Sequence, residues 1–143
     1  MSERITLPRS AMNILPLKER MKIIRRHMPE LDPAVRSRNF EEVNQGLPAS
    51  DALIEASRCI ECAKPGCIVD CPVGVKVKEV IALICAGDFL AAASKLREDN
   101  SLPAITGRVC PQENQCEGGC IVARRVSRWP SATWSGLSPT TSD

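Results

Sequence analysis

A mostly α-helical chain is predicted by three observations. Val77, Val80, Ile81 and Ile84 recur at helical spacing, and the stretch 77–86 ends at Gly87, the residue type that most readily closes a helix. Asp88 comes next at an N-cap position, ahead of Phe89, Leu90, Ala93 and Leu96, which are expected to face inward along a second helix. No G-x-G-x-x-G succeeds a strand pattern, so no nucleotide-binding strand–helix unit is expected. The 143 residues suit one domain.

In chain order, residues 1–45 are polar and punctuated by proline, and are expected to form an N-terminal extension. Within it, a short helix is expected from Pro16 to His27, with Leu17, Met21 and Ile24 on one face, stopping before Pro29. Lys18, Arg20, Lys22, Arg25 and Arg26 would give that helix a basic face, solvated or docked on a partner subunit. His27 is expected at the surface and carries no role. Ser50 reads as the N-cap of a helix from Asp51 to Arg58 that delivers Cys59 at its end. The 77–86 helix and the one after Asp88 form a hairpin within the domain at 46–125. Cys85, in the apolar stretch of the first, reads as a buried thiol. Gly66, Gly74, Gly107, Gly118 and Gly119 are expected in tight turns.

The other seven of the eight cysteines fall in two runs. The first is C-x2-C-x4-C-x3-C-P, made by Cys59, Cys62, Cys67, Cys71 and Pro72. The second is C-x5-C-x3-C, made by Cys110, Cys116 and Cys120. Bacterial two-cluster ferredoxins use C-x2-C-x2-C-x3-C-P, and their fourth cysteine ligates the other cluster. The first run has that shape with a longer middle gap. Pro72 restricts the residue before it and turns Cys71 away. Cys59, Cys62, Cys67 and the distant Cys120 are therefore assigned to one [4Fe–4S] cluster. Cys71, Cys110 and Cys116 supply three ligands of a second. Scarce aromatics (3% of residues) fit a core organised by metal rather than bulky packing.

Other uses of clustered cysteines fit less well. Disulfides suit exported chains, but no apolar signal segment comes after Met1-Ser-Glu-Arg4. Zinc sites usually add a second C-x2-C or an H-x3-5-H, and neither occurs. A net charge of +2 is too small to imply nucleic acid or an acidic membrane surface. No apolar run approaches the roughly 18–20 residues that span a bilayer. Clusters and the missing export signal together predict a cytoplasmic protein.

From about Arg36 to Arg125 the chain resembles the N-terminal iron–sulfur domain of the NAD(P)H-dependent glutamate synthase small subunit and dihydropyrimidine dehydrogenase family. The residues that carry the resemblance are Arg38-Asn-Phe-Glu-Glu-Val43, Glu55-Ala-Ser-Arg-Cys59, Cys71-Pro72, Gly87-Asp-Phe89, Leu102-Pro-Ala104, Gly107-Arg-Val-Cys-Pro-Gln-Glu113 and Cys116-Glu-Gly-Gly-Cys120. The resemblance implies an α-helical ferredoxin-like domain organised by two [4Fe–4S] clusters, with the same division of cysteines. It also implies a Gln or Glu as the fourth ligand of the second cluster, about fifteen residues beyond the last cysteine.

The chain departs from the family there. Eight of residues 126–143 are Ser or Thr, and both tryptophans fall among them. Back-translated and read one base out of frame, this tail yields GEPVAIGNLERLVADYER, the string the family would place here. Each shifted codon has only one free wobble base, so the tail reads as a frameshift product and is expected to be irregular. The glutamate of GNLE falls where Ser135 stands, leaving the second cluster without its fourth ligand.

Two functions are compatible with these features. The first is an electron-transfer module passing single electrons between a flavoprotein domain and a partner oxidoreductase subunit, not catalytic alone. FAD and NAD(P)H would belong to full-length relatives, and the chain is expected to be truncated before those domains. The second is a structural or docking domain with incomplete or no redox activity.

Overall fold

The computed structural model describes residues 15–125. The expected irregular tail, with its frame relation and Ser135, lies outside them.

Helices dominate the described residues, and the one strand-like feature among them is an isolated antiparallel bridge between Glu30 and Asn44. The helices are α1 (Leu17–Arg20), α2 (Pro33–Arg36), α3 (Ala49–Ala56), α4 (Gly66–Val69), α5 (Val77–Cys85), α6 (Phe89–Asp99), α7 (Pro103–Val109) and α8 (Ile121–Arg125). A 3-10 turn, Gln112–Asn114, lies between the last two.

The α5–α6 hairpin is the frame. Gly87 takes φ +76°, and its N–H donates to the Ile84 carbonyl at 2.8 Å. The Asp88 N–H donates to the Leu83 carbonyl at 3.0 Å, completing the paired bonds that close a helix at a left-handed glycine. Asp88 then caps α6, its carboxylate accepting from the Ala91 N–H at 3.0 Å. The open end of the hairpin is tied by Asp99. Its carboxylate accepts from the Lys76 backbone N–H at 3.1 Å and from Lys76 Nζ at 2.6 Å, just ahead of α5.

The core gathers Ala52 and Ala56 of α3, Val80, Ile81 and Ile84 of α5, Ala92 of α6 and Ala123 of α8, with Leu47. The apolar spacing in α5 is thus the buried stripe. In α6 the inward set differs from expectation. Ala92 is buried, Phe89 and Leu96 pack against the core, and Leu90 is exposed. Leu90 lies one step, about 100°, around the helix from Phe89, whereas positions 89, 92, 93 and 96 share one face.

Further expectations are corrected. The helix from Pro16 ends at Arg20 rather than His27, leaving Leu17 and Ile24 exposed. Beyond Arg20 the chain is irregular and held onto α3, where the Arg26 N–H donates to the buried Glu55 carboxylate at 2.9 Å. Of the expected basic face, Lys18 and Lys22 are exposed, whereas its three arginines turn onto the protein itself. Arg20 pairs with Glu61 at 3.1 Å, Arg25 with Glu117 at 3.7 Å and Arg26 with Asp51 at 3.7 Å. Helix α3 starts at Ala49 with Pro48 at its N-cap position, so Ser50 lies inside its first turn and caps nothing; Pro48 presets the backbone there. Gly107 lies within α7, not in a turn.

Candidate metal centre

Cys59 is delivered by the tightened end of α3. The Arg58 N–H donates to the Glu55 carbonyl at 3.2 Å, and the Cys59 N–H to the Ala56 carbonyl at 3.1 Å. Two residues on, Glu61 takes φ +53°, a left-handed conformation uncommon for a side-chain-bearing residue. Arg20 clamps this turn from outside: Nη1 donates to the Cys59 carbonyl at 2.9 Å and to the Glu61 carboxylate at 3.1 Å. The turn brings Cys62 to the same cavity as Cys59.

That first cavity is walled by Cys59, Cys62, Cys67, Cys116 and Cys120, and closed mainly by apolar side chains such as Ile81, Ile121 and Val122. Lys78 also reaches it, its Nζ donating to the Cys62 carbonyl at 3.3 Å. A second cavity is walled by Cys71, Cys110 and Cys116. It lies against Val75, Val80 and Leu96, and four polar residues face it: Asn100, Thr106, Gln112 and Gln115. The two cavities meet along Val77 and Cys116. Cys120 of the second run thus stands with three cysteines of the first run, and Cys71 of the first run with Cys110. Cys116 faces both.

The two runs approach so closely because two glycines lie between their cysteines. A β-carbon on Gly66 would overlap the Gly119 carbonyl, and one on Gly119 would meet the Asp70 carboxylate and stand 2.7 Å from the Gly66 carbonyl. Cys67 directly succeeds the first glycine and Cys120 the second.

Cys85 lines neither cysteine cavity and is half-buried rather than fully buried. It faces a third cavity with Arg20, Ser57, Glu61 and Cys59. Burial, then the neighbouring Cys59, pushes its thiol up to about 11.

Burial likewise pushes the Cys67 thiol up to about 12, reinforced by Cys120, Cys59, Cys116 and Cys62 around it. Cys59 is raised chiefly by burial, with Cys120 and Cys62 adding to the rise. Thiols crowded into an apolar cavity resist becoming several bare anions. A cationic centre reverses that preference, because thiolate is the ligand form and binding expels the protons. Among the described residues, no three His, Cys, Asp or Glu side chains converge closely enough to hold one metal ion. The thiols are arranged around cavities instead, as a polynuclear centre requires. A further sign that a donor-seeking group fits lies in the second cavity: Gln112 Oε1 is buried and accepts no hydrogen bond.

Sequence reasoning missed Arg20, Glu61 and Gln112. Arg20 reads as part of a basic surface because its partners lie 39 and 41 residues away. Gln112 stands in a matching motif, but nothing in its spacing marks it as facing the cavity.

The family described as dihydropyrimidine dehydrogenase domain II, 4Fe–4S cluster, matches residues 36–130. The chain is 39% identical over 98 residues to the glutamate synthase [NADPH] small chain of Halomonas elongata, covering 68% of this chain and 21% of that one. It is 34% identical over 96 residues to the glutamate synthase [NADPH] small chain of Azospirillum brasilense, covering 66% of this chain and 20% of that one. It is 35% identical over 100 residues to the glutamate synthase [NADH] of Saccharomyces cerevisiae, covering 68% of this chain and 5% of that one. The matched region thus spans about a fifth or less of the length of these relatives.

Proposed function

The chain belongs to the dihydropyrimidine dehydrogenase domain II, 4Fe–4S cluster, family, and on that premise we propose that it is an electron-transfer module holding two [4Fe–4S] clusters. Cys59, Cys62, Cys67 and Cys120 would hold the first. Cys71, Cys110 and Cys116 would hold three corners of the second, leaving one corner without a cysteine. The observation that carries the reading is the interleaving of the two cysteine runs around two adjoining cavities.

Such clusters, when bound, accept and release one electron at a time. The chain's own residues set the conditions. Ile81, Ile121 and Val122 limit water at the first site. Lys78 and Arg20 bring positive charge to the backbone carbonyls of Cys62 and Cys59, which favours the more negative, reduced state. The Arg20–Glu61 clamp holds the first two thiols in one orientation.

The electrons' source and destination extend the proposal. Since the relatives are glutamate synthases several times longer than the matched region, the module would serve an NAD(P)H-dependent flavoprotein, with FAD and the nicotinamide held by another domain or a partner oxidoreductase subunit. Among the described residues no helix is long and apolar enough to cross a membrane. We place the protein in the cytoplasm, because cysteines destined to hold iron–sulfur clusters require a reducing compartment.

The test is iron and sulfide analysis with EPR after dithionite reduction, on protein reconstituted without oxygen. About eight irons per chain, in two reducible centres, is the expected result for two four-iron clusters. A folded chain that takes up no iron would overturn the reading in favour of a docking domain.

A further inference from the structure

Resting on the two-cluster reading, we infer that the N-terminal segment is a working part of the first cluster's site, with Arg20 as its positioning residue. Arg20 holds the turn between Cys59 and Cys62 in ligand geometry and raises the potential of the cluster those cysteines bind. It lies outside residues 36–130, the stretch that matches the family.

The turn needs holding from outside. Glu61 stands between two ligands with φ +53°, and a side-chain-bearing residue stays in that region only where its surroundings over-determine it. One nitrogen of Arg20 supplies two of those contacts. Nη1 donates to the Cys59 carbonyl at 2.9 Å and to the Glu61 carboxylate at 3.1 Å. The guanidinium is itself fixed, its Nε donating to the Leu15 carbonyl at 3.0 Å. The chain beyond α1 is anchored as well. The Arg26 N–H donates to the Glu55 carboxylate at 2.9 Å, and Arg25 pairs with Glu117, the neighbour of Cys116, at 3.7 Å.

The charge of Arg20 bears on the same centre. Arg20 shares the third cavity with Cys59, behind that ligand. Reduction adds one negative charge to a cluster, and a nearby cation makes the addition easier. Glu61 opposes this, but the two charges are screened unequally: the Arg20 side chain is 13% exposed and that of Glu61 53%. The cation therefore dominates at the cluster. Among the described residues no Lys, Arg, Asp or Glu lines the second cavity, so the effect of Arg20 falls on the first centre.

The experiment compares the full chain with Arg20→Gln, Arg20→Lys, Arg20→Gln/Glu61→Gly and, as a control on the same segment, the exposed Lys22→Gln. Each is reconstituted anaerobically with iron and sulfide, checked for folding by circular dichroism, titrated for potential by EPR and challenged with an iron chelator. The EPR signal missing from Cys59→Ala identifies the first centre. Arg20→Gln should lower the potential of that centre alone and weaken its hold on iron by about 10- to 100-fold, the range for residues that orient metal ligands. Arg20→Lys keeps the charge and should keep the potential near wild type. Glu61→Gly lets the turn adopt positive φ without a clamp, so the double variant should recover iron retention. Lys22→Gln should change nothing. An unchanged first-centre potential or unchanged retention in Arg20→Gln would overturn the inference while leaving the two-cluster reading intact. So would an equal shift at both centres, or a double variant no better than Arg20→Gln. A wild-type chain that takes up no iron overturns both. If Arg20→Gln fails to fold, Glu61→Gln decides: it removes the opposing charge and should raise the first-centre potential, and an unshifted value counts against Arg20.

Discussion

Gly66 and Gly119 lie back to back, and a β-carbon on Gly119 would stand 2.7 Å from the Gly66 carbonyl oxygen. One glycine belongs to the first cysteine run and the other to the second. Their contact sets how near the runs approach, and so whether Cys67 and Cys120 can face one cavity. The obstruction to a side chain is backbone, which cannot swing away as a flexible side chain could. Gly119→Ala should therefore destabilise the protein by about 1–3 kcal/mol or more, the range for overpacking a tight site. It should also lower iron uptake. Anaerobic thermal unfolding measures the first and iron analysis the second. Ser94→Ala, at an exposed position of α6, should stay within about 0.5 kcal/mol of wild type. Equal melting of Gly119→Ala and wild type would refute the steric argument.

Glu55 and Arg58 form a second local constraint. Both side chains are fully buried, and the guanidinium meets the carboxylate three residues back along α3. The same carboxylate accepts the Arg26 N–H, tying the N-terminal segment to the helix that delivers Cys59. Removing one charge of a buried pair leaves the other without compensation, typically at about 3–5 kcal/mol. Glu55→Gln keeps the shape and removes the charge. Its urea midpoint should fall well below that of wild type, and a shift no larger than that of a surface substitution would show that the pair contributes little.

The interleaved division of cysteines predicts which variants behave alike. Cys120→Ala should lose the same EPR signal as Cys59→Ala, although 61 positions separate the two residues. Cys71→Ala should lose the other signal, matching Cys110→Ala. Cys85→Ala should hold as much iron as wild type, since Cys85 lines neither cysteine cavity. Identical spectra from Cys71→Ala and Cys59→Ala would count against the division.

The helical hairpin is legible in the sequence because its signals are local. The stripe Val80, Ile81 and Ile84, the glycine at 87 and the cap at Asp88 each act within one or two turns of chain. Leu90 misleads because five apolar residues in a row, from Phe89 to Ala93, blur the face that period 3.6 would select. The two cysteine runs are legible in spacing. The clamp on Cys59 is not, because Arg20 reaches it across a long sequence separation. The short length of α1 is hidden for a related reason. Helical spacing at Leu17, Met21 and Ile24 competes with contacts that hold Arg25 and Arg26 against Glu117, Asp51 and the Glu55 carboxylate. Those contacts are tertiary, and no local pattern announces them.

The raised thiols give a pH dependence whose sign can be worked out. In the metal-free protein the Cys67 thiol rises from the ordinary 9.0 to about 12, first by burial and then by its neighbouring thiols. Below pH 9 it is protonated in both folded and unfolded chains and does not affect the balance. Between about 9 and 12 the unfolded chain releases this proton and the folded chain keeps it. The folded state then binds more protons, so stability falls as pH rises through this window. Cys59 and Cys85, raised chiefly by burial, act in the same direction. The metal-free protein should therefore lose stability steadily above pH 9. Replacing Cys67 by Ala should reduce that slope. Iron loading reverses the preference at the ligand cysteines, because these thiols bind as thiolates and release their protons to solvent. Reconstitution in weak buffer should acidify the medium, and the loaded protein should keep its stability further into the alkaline range. Denaturant midpoints across pH 8 to 11, with and without iron, measure both effects; parallel curves for the two forms would show that the raised thiols are not the groups that take up iron.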